Sequence, residues 1–204
     1  MSRVKVARKS TAIDMTAMCD VAFLLLTFFI LSAKPKTQAP VSADPPASTA
    51  TFVIPESDFS TITIGQGKVA FNVQGDDVRR ETLKQMGLKY KYTFTPHEIQ
   101  VFATTESFGM PIGQLKQFLN LSNEQKSSVQ QEGIPVDTTE SNELADWVHE
   151  ARIANKYLHN IELRVAIKGD AKEEYPTIHK VIATLQKQNV NKFSLITDLK
   201  KVPK

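Results

Sequence analysis

Cysteine is almost absent from the sequence: Cys19 stands alone, so no disulfide can form within the chain. Cysteine and histidine do not cluster at the spacing of metal ligands, and there is no glycine-rich loop of the phosphate-binding kind. The formal net charge of +3 over 204 residues is too small to indicate a nucleic-acid-binding protein. We therefore expect no cofactor, no metal and no nucleic-acid partner.

The most informative segment is the apolar stretch at residues 13–33, which is long enough for a helix that crosses a bilayer core of about 30 Å. Its uninterrupted apolar part, residues 21–31, is too short to cross alone, so the helix must include Asp20. Basic residues are concentrated before the span, which predicts a cytoplasmic tail at residues 1–12 and export of everything after about residue 34. A cleavable signal peptide is the alternative, but the Leu-Ser-Ala that ends at Ala33 is a poor cleavage site.

Asp20 is the candidate functional residue, because a carboxylate in a membrane helix costs about 2.5–3.5 kcal/mol on insertion scales. Low dielectric favours the protonated form of such a group, so Asp20 can load a proton from one side and release it to the other. Helical spacing places three further side chains on or beside its face: Phe23, Leu24 and Thr27. Asp14 and Thr16 fit the start of the helix, with Asp14 as the cap. The alternative is that the helix begins late and Asp20 itself is the cap.

The rest of the chain predicts an α+β fold with one N-terminal transmembrane helix, a disordered linker and a small mixed-sheet domain. Residues 34–50 are rich in proline, alanine, serine and threonine, which is typical of a flexible linker. The domain is predicted over residues 51–200, with strands at 52–54, 61–64, 69–73, 162–168 and 193–197. A helix at 175–188 joins the last two strands into a βαβ unit, so they should be parallel.

The middle of the domain predicts helices at residues 77–88, 96–106, 112–121 and 142–158. Thr95, with Pro96 after it and Glu98 three residues on, has the pattern of a helix start with a capping box. Trp147 is at core spacing on the last of these helices. The histidines are scattered, which favours ordinary surface or core roles. Asp170 follows a strand but has no accompanying base or nucleophile, so a turn role is expected and enzymatic activity is not.

The segment DMTAMCDVAFLLLTFFILSA, residues 14–33, resembles the signature of the ExbD/TolR family of biopolymer-transport proteins. In that signature a basic stretch is followed by a pattern like (D/N)-x-T-P-h-h-D-h-h-h, where h is hydrophobic. Asp20 matches the essential intramembrane aspartate and Thr16 the threonine, whereas Ala17 replaces a frequent proline. The string IELRVAIKGDAKEEYPTIHKVIATLQKQNVNKFSLIT near the other end resembles the C-terminal half of the family's periplasmic domain. The resemblance is closer to ExbD, with an insertion at about residues 76–134.

This resemblance implies a single-pass protein of the bacterial inner membrane that forms a homodimer within a ring of a multispan ExbB/TolQ-like subunit. Protons crossing at Asp20 would then drive the exported, periplasmic domain to act on a TonB-like protein, which powers transport across the outer membrane. A TolR-like subunit for envelope integrity and a motility stator subunit share this layout. A further alternative is an anchored scaffold that uses no proton flow.

Overall fold

The computed structural model describes residues 15–32, 39–48, 57–136 and 142–199. The chain divides into two compact units, Met1–Thr37 and Gln38–Lys204. Within the first unit the structure describes one helix, α1 (Met15–Ser32). The predicted tail at 1–12, the predicted cap Asp14 and the predicted strand at 52–54 lie outside the described residues.

The second unit combines short strands with helices along the chain. Its described elements are β1 (Ala47–Ser48), β2 (Phe59–Gly65), β3 (Lys68–Val73), α2 (Asp76–Tyr90), α3 (Pro96–Thr104), α4 (Ile112–Leu119), α5 (Asn123–Ser128), α6 (Glu143–His159), β4 (Arg164–Gly169), α7 (Tyr175–Lys187), β5 (Phe193–Leu195) and β6 (Asp198–Leu199). The predicted α+β class, with one N-terminal apolar helix and a small mixed sheet, is confirmed.

The main sheet has the strand order β3-β2-β4-β5. Strands β2 and β3 form an antiparallel hairpin whose turn residues, Gln66 and Gly67, both have positive φ, at 56° and 70°. Two consecutive residues of this kind match the twist of the flanking strands. Strand β4 is parallel to β2 and to β5, and α7 connects β4 to β5. The predicted βαβ unit is therefore present.

The core is an aromatic cluster enclosed by the sheet and the helices. Trp147 of α6 is fully buried, with its ring centroid 4.6 Å from that of Phe108 and 5.9 Å from that of Phe102. Phe108 also forms an antiparallel bridge to Phe71 of β3. Trp147 therefore has the core role that its helical spacing predicted.

Polar contacts hold the C-terminal end of α2 on α6. The Tyr90 hydroxyl donates to the Asp146 carboxylate at 2.7 Å, and the Lys89 ammonium donates to the other oxygen of that group at 2.7 Å. Helix α3 begins at the capping box predicted from Thr95 and Glu98, with both reciprocal hydrogen bonds formed. The helices predicted between residues 77 and 121 thus exist with small shifts at their ends. That residues 76–134 are an insertion remains a prediction.

The described part of the predicted linker differs from the expectation of disorder. Val41 and Ala43 are buried within the second unit, and the Asp44 carbonyl accepts a hydrogen bond from the Ala171 amide at 2.9 Å. Strand β1 then pairs in parallel with β6. The proline-rich composition concealed an alternation of apolar and polar residues that lets one side of this segment pack on the domain. Residues 39–48 are part of the folded unit.

Candidate functional site

Helix α1 has the length and composition of a membrane span. Its 18 residues have a mean hydropathy of 2.0, and a helix of that length extends about 27 Å at about 1.5 Å per residue. No residue of α1 is buried. Exposure of such a helix to water would be costly, whereas a bilayer core of about 30 Å matches both its length and its surface.

Asp20 is the charged residue of this helix. The described helix begins at Met15, so Asp20 lies more than a full turn inside it rather than at its first residue. This position gives the carboxylate no exposed backbone amide at a helix start to cap, which disfavours the cap interpretation. Within hydrocarbon such a group requires either a proton or polar partners.

The neighbours of Asp20 on the same face provide little polarity. At about 100° per residue, Leu24 and Thr27 follow Asp20 along one side of the helix, with Phe23 beside them. The Thr27 hydroxyl donates to the Leu24 carbonyl at 2.9 Å, so its hydrogen is used within the helix while its oxygen can still accept. Thr16 lies in the first turn of α1. No second carboxylate and no basic side chain occurs within Met15–Ser32.

This arrangement can bind and release a proton, but it cannot form a path by itself. A path across hydrocarbon needs polar groups or water on both sides of the carboxylate, and α1 supplies a single ionisable oxygen-bearing group. The described helix therefore supplies one carboxylate and no complete path.

The other side chains considered from the sequence have structural roles or unexpected partners. Asp170 accepts a hydrogen bond from the Lys172 backbone amide at 2.9 Å, as a turn residue does. No group of three or more potential metal ligands occurs in the part of the chain that the structure describes. His159 contacts two carboxylates, Asp58 and Asp77, which are 101 and 82 residues away in sequence. No local pattern indicates such long-range contacts.

Comparisons with known proteins complete these observations. A family model described as "Biopolymer transport protein ExbD/TolR" matches residues 7–200, which include α1 and the entire main sheet. The curated proteins yield no match to the chain, and neither do the solved structures. The family match thus extends over both units, including the segment around Asp20.

Proposed function

The chain belongs to the ExbD/TolR family of biopolymer transport proteins, and on that premise we propose that it is an ExbD-like, proton-driven energiser subunit. With one span-length apolar helix among its described residues and this family membership, it is a single-pass protein of the inner membrane. In our proposal the N-terminus is cytoplasmic and the domain after α1 is periplasmic. The excess of basic residues before α1 supports this orientation.

The observation that carries the proposal is a carboxylate inside an otherwise uncharged apolar helix. Its insertion cost of about 2.5–3.5 kcal/mol would be removed by any apolar replacement, so its presence indicates a use. A proton that binds Asp20 neutralises the group, and its loss restores a charge that prefers a polar environment. This alternation lets one residue couple proton flow to a movement of the helix.

The membrane potential supplies enough free energy for this coupling. One elementary charge that crosses a potential of 100 mV releases about 2.3 kcal/mol. The free energy released by a few protons therefore exceeds the cost of keeping the carboxylate in hydrocarbon, and the remainder can drive a conformational cycle.

Partners must complete the site, because α1 supplies one wall of the path. Members of this family generally work with ExbB/TolQ-type subunits and TonB-like proteins. We propose a homodimer of this chain whose two α1 helices lie within a ring of a multispan ExbB/TolQ-like subunit. The periplasmic unit then acts on a TonB-like protein.

The second candidate function within the family is a TolR-like subunit for envelope integrity, which has the same helix and the same need for Asp20. A motility stator subunit also uses one aspartate in this way. An anchored scaffold differs because it does not need the carboxylate. Replacing Asp20 therefore separates the energisers from the scaffold, and the identity of the copurifying partner separates the energisers from one another.

The test uses the full chain reconstituted in vesicles with its copurified multispan partner and a pH-sensitive dye inside. Under an imposed potassium diffusion potential, we expect Asp20→Asn to lower proton uptake at least about tenfold, because the amide cannot release a proton. Asp20→Glu keeps an ionisable group and should retain part of the uptake. Asp14→Asn is the matched control and should behave like the unchanged protein. Unchanged proton uptake in Asp20→Asn vesicles that contain the intact assembly would refute the proposal.

A further inference from the structure

His159 joins three elements of the second unit through one imidazole ring. It is the last residue of α6, and its Nδ1 lies 2.6 Å from a carboxylate oxygen of Asp58, which precedes β2. Its Nε2 lies 2.9 Å from a carboxylate oxygen of Asp77, in the first turn of α2. We refer to Asp58, His159 and Asp77 as the His159 cluster.

The chemistry of the two partners dictates the charge of the ring. An ionised carboxylate only accepts hydrogen bonds, and a neutral imidazole carries hydrogen on one nitrogen alone. Both contacts are hydrogen bonds only when both ring nitrogens carry hydrogen, that is, when His159 is a cation. In the neutral ring, one nitrogen lone pair would face a carboxylate anion at hydrogen-bond distance. Both hydrogen bonds of the cluster therefore form only when His159 is protonated and both aspartates are ionised.

The surroundings of the ring agree with this assignment. Its position at the end of α6 favours a cation, because the helix carboxyl end is negative. The hydrogen bonds that the ring donates to Asp58 and, second, to Asp77 raise the pKa of His159, and the same bonds lower the pKa of both carboxyls. Within the described residues, these two carboxylates are the charged groups that act on the ring. The other polar contacts of the cluster come from neutral groups: the Ser57 hydroxyl and the Asn155 side chain at Asp58, and the Val78 amide at Asp77.

The two contacts of His159 differ in distance and in exposure to solvent. We therefore expect the Asp77 contact to break before the Asp58 contact when the ring loses a proton. The Asp77 side chain is 52% exposed and that of Asp58 is 16% exposed. A neutral ring that keeps one hydrogen should donate it to Asp58, where the distance is shorter and an unpaired charge would be less hydrated. Asp77 would then be released into water. The first turn of α2 itself stays on the domain, because Val78 is fully buried and the Arg79 guanidinium donates to the Val73 and Ala103 carbonyls.

We infer that the His159 cluster is a pH-dependent contact between the first turn of α2 and the end of α6, which is complete in mildly acidic solution and loses its Asp77 arm as the pH rises. The Asp77 side chain is half exposed, so it can separate from the ring while the buried Val78 and Arg79 keep the turn in place. If the domain is periplasmic, as proposed above, the contact responds to acidity on the side from which protons enter. The contact itself does not depend on the function of Asp20.

The sign of the stability effect follows from the directions of the pKa shifts. The raised pKa of His159 gives stability that is complete below its ordinary value of 6.5 and is lost as the pH rises through the higher folded value. The lowered pKa values of the aspartates give stability that is present above 3.8 and is lost at lower pH. The cluster is therefore most stabilising in mildly acidic solution and weakens as the pH rises through the raised pKa of His159.

The test measures urea unfolding of the full chain in detergent at pH 6 and pH 8. Trp147 is the single tryptophan and is fully buried in this unit, so its fluorescence reports the unfolding of the unit alone. We expect the urea midpoint to fall by about 0.3–1 M from pH 6 to pH 8 in the unchanged protein. His159→Gln should remove most of this fall, whereas His149→Gln, on the same helix and outside the cluster, should keep it.

A spectroscopic readout makes the test independent of stability. Labelling histidine with ¹⁵N should show both ring nitrogens of His159 protonated at pH 6 and a titration midpoint above 6.5, with Asp77→Asn lowering that midpoint. Asp77→Asn also replaces His159→Gln in the unfolding test if the latter does not fold. A midpoint at or below 6.5, or full pH dependence in His159→Gln, would overturn the inference. Asp20→Asn should leave this behaviour unchanged, so the two proposals can fail separately.

Discussion

Replacing Gly65 with alanine is expected to displace residues 39–48 from the domain. Gly65 ends β2 directly beneath this segment, and a methyl group there would lie 2.4 Å from the Ser42 carbonyl oxygen and 3.2 Å from Val41 Cγ1. A carbon–oxygen contact of 2.4 Å is not tolerated, and the Ser42 carbonyl is part of the backbone, so it cannot turn away as a flexible side chain could. The backbone of Gly65 itself accepts alanine, since its φ is not positive. The segment must therefore move.

The cost can be worked out from what the segment contributes. Burial of Val41 is worth about 1.5 kcal/mol and that of Ala43 about 0.8 kcal/mol. The hydrogen bond from Ala171 to Asp44 adds about 1 kcal/mol. The released residues regain conformational freedom, which offsets part of this loss. We expect a net destabilisation of about 1–2 kcal/mol, or a fall in Tm of about 2–8 °C.

Hydrogen exchange and thermal unfolding of the full chain check this prediction. In Gly65→Ala the Ala171 amide should exchange faster, because its acceptor has moved. Gly169→Ala is the matched control: it lies at the end of the neighbouring strand, and an added methyl would meet Ile178 Cδ1 at an ordinary 3.8 Å. Equal stability of the two variants, with an unchanged exchange rate at Ala171, would refute the packing of this segment.

Two further predictions concern the helical part of the domain. Thr95→Ala removes the cap of α3 and should lower the free energy of unfolding by about 1 kcal/mol, measured by urea titration, with Thr104→Ala at the exposed end of α3 as a milder control. Burial raises the pKa of Glu143, whose ionised form therefore destabilises the fold increasingly above its ordinary value of 4.5. Glu143→Gln keeps an acceptor for the Ile112 amide and the Trp147 indole, so it should be at least as stable as the unchanged protein at pH 7, with the difference shrinking toward pH 4. A Glu143→Gln protein less stable at pH 7 than at pH 4, relative to the unchanged protein, would contradict this reasoning.

Local patterns were sufficient for much of the fold. The alternation of β4, the amphipathic face of α7 and the following strand predicted a parallel βαβ unit, which the structure contains. The box at Thr95 predicted the start of α3 to the residue. These features depend on neighbours within a few residues, where side-chain periodicity and capping determine the backbone.

Contacts between distant residues were not predictable in this way. The packing of Val41 on the end of β2 was missed, because a proline-rich composition is typical of linkers and the surface beneath it exists only after folding. The His159 cluster joins residues that no local pattern connects. For the candidate site, hydropathy and the family resemblance predict Asp20, and α1 has no second charged side chain to pair with it. In the proposed assembly the groups that face Asp20 belong to a partner, whose positions this sequence does not encode.

The helical segment between β3 and α6 leaves and rejoins the same strand. The chain departs after Val73, and on its return the Ile134 amide donates to the Val69 carbonyl at 2.8 Å. These two points are separated by about 13 Å along β3 at about 3.3 Å per residue. Both ends of the segment are thus fixed to one strand, so the register of the sheet does not depend on the length of chain between them, whereas the cover of Trp147 depends on Phe102 and Phe108 within it. A reporter domain inserted in this segment would be tethered at two points about 13 Å apart on one strand.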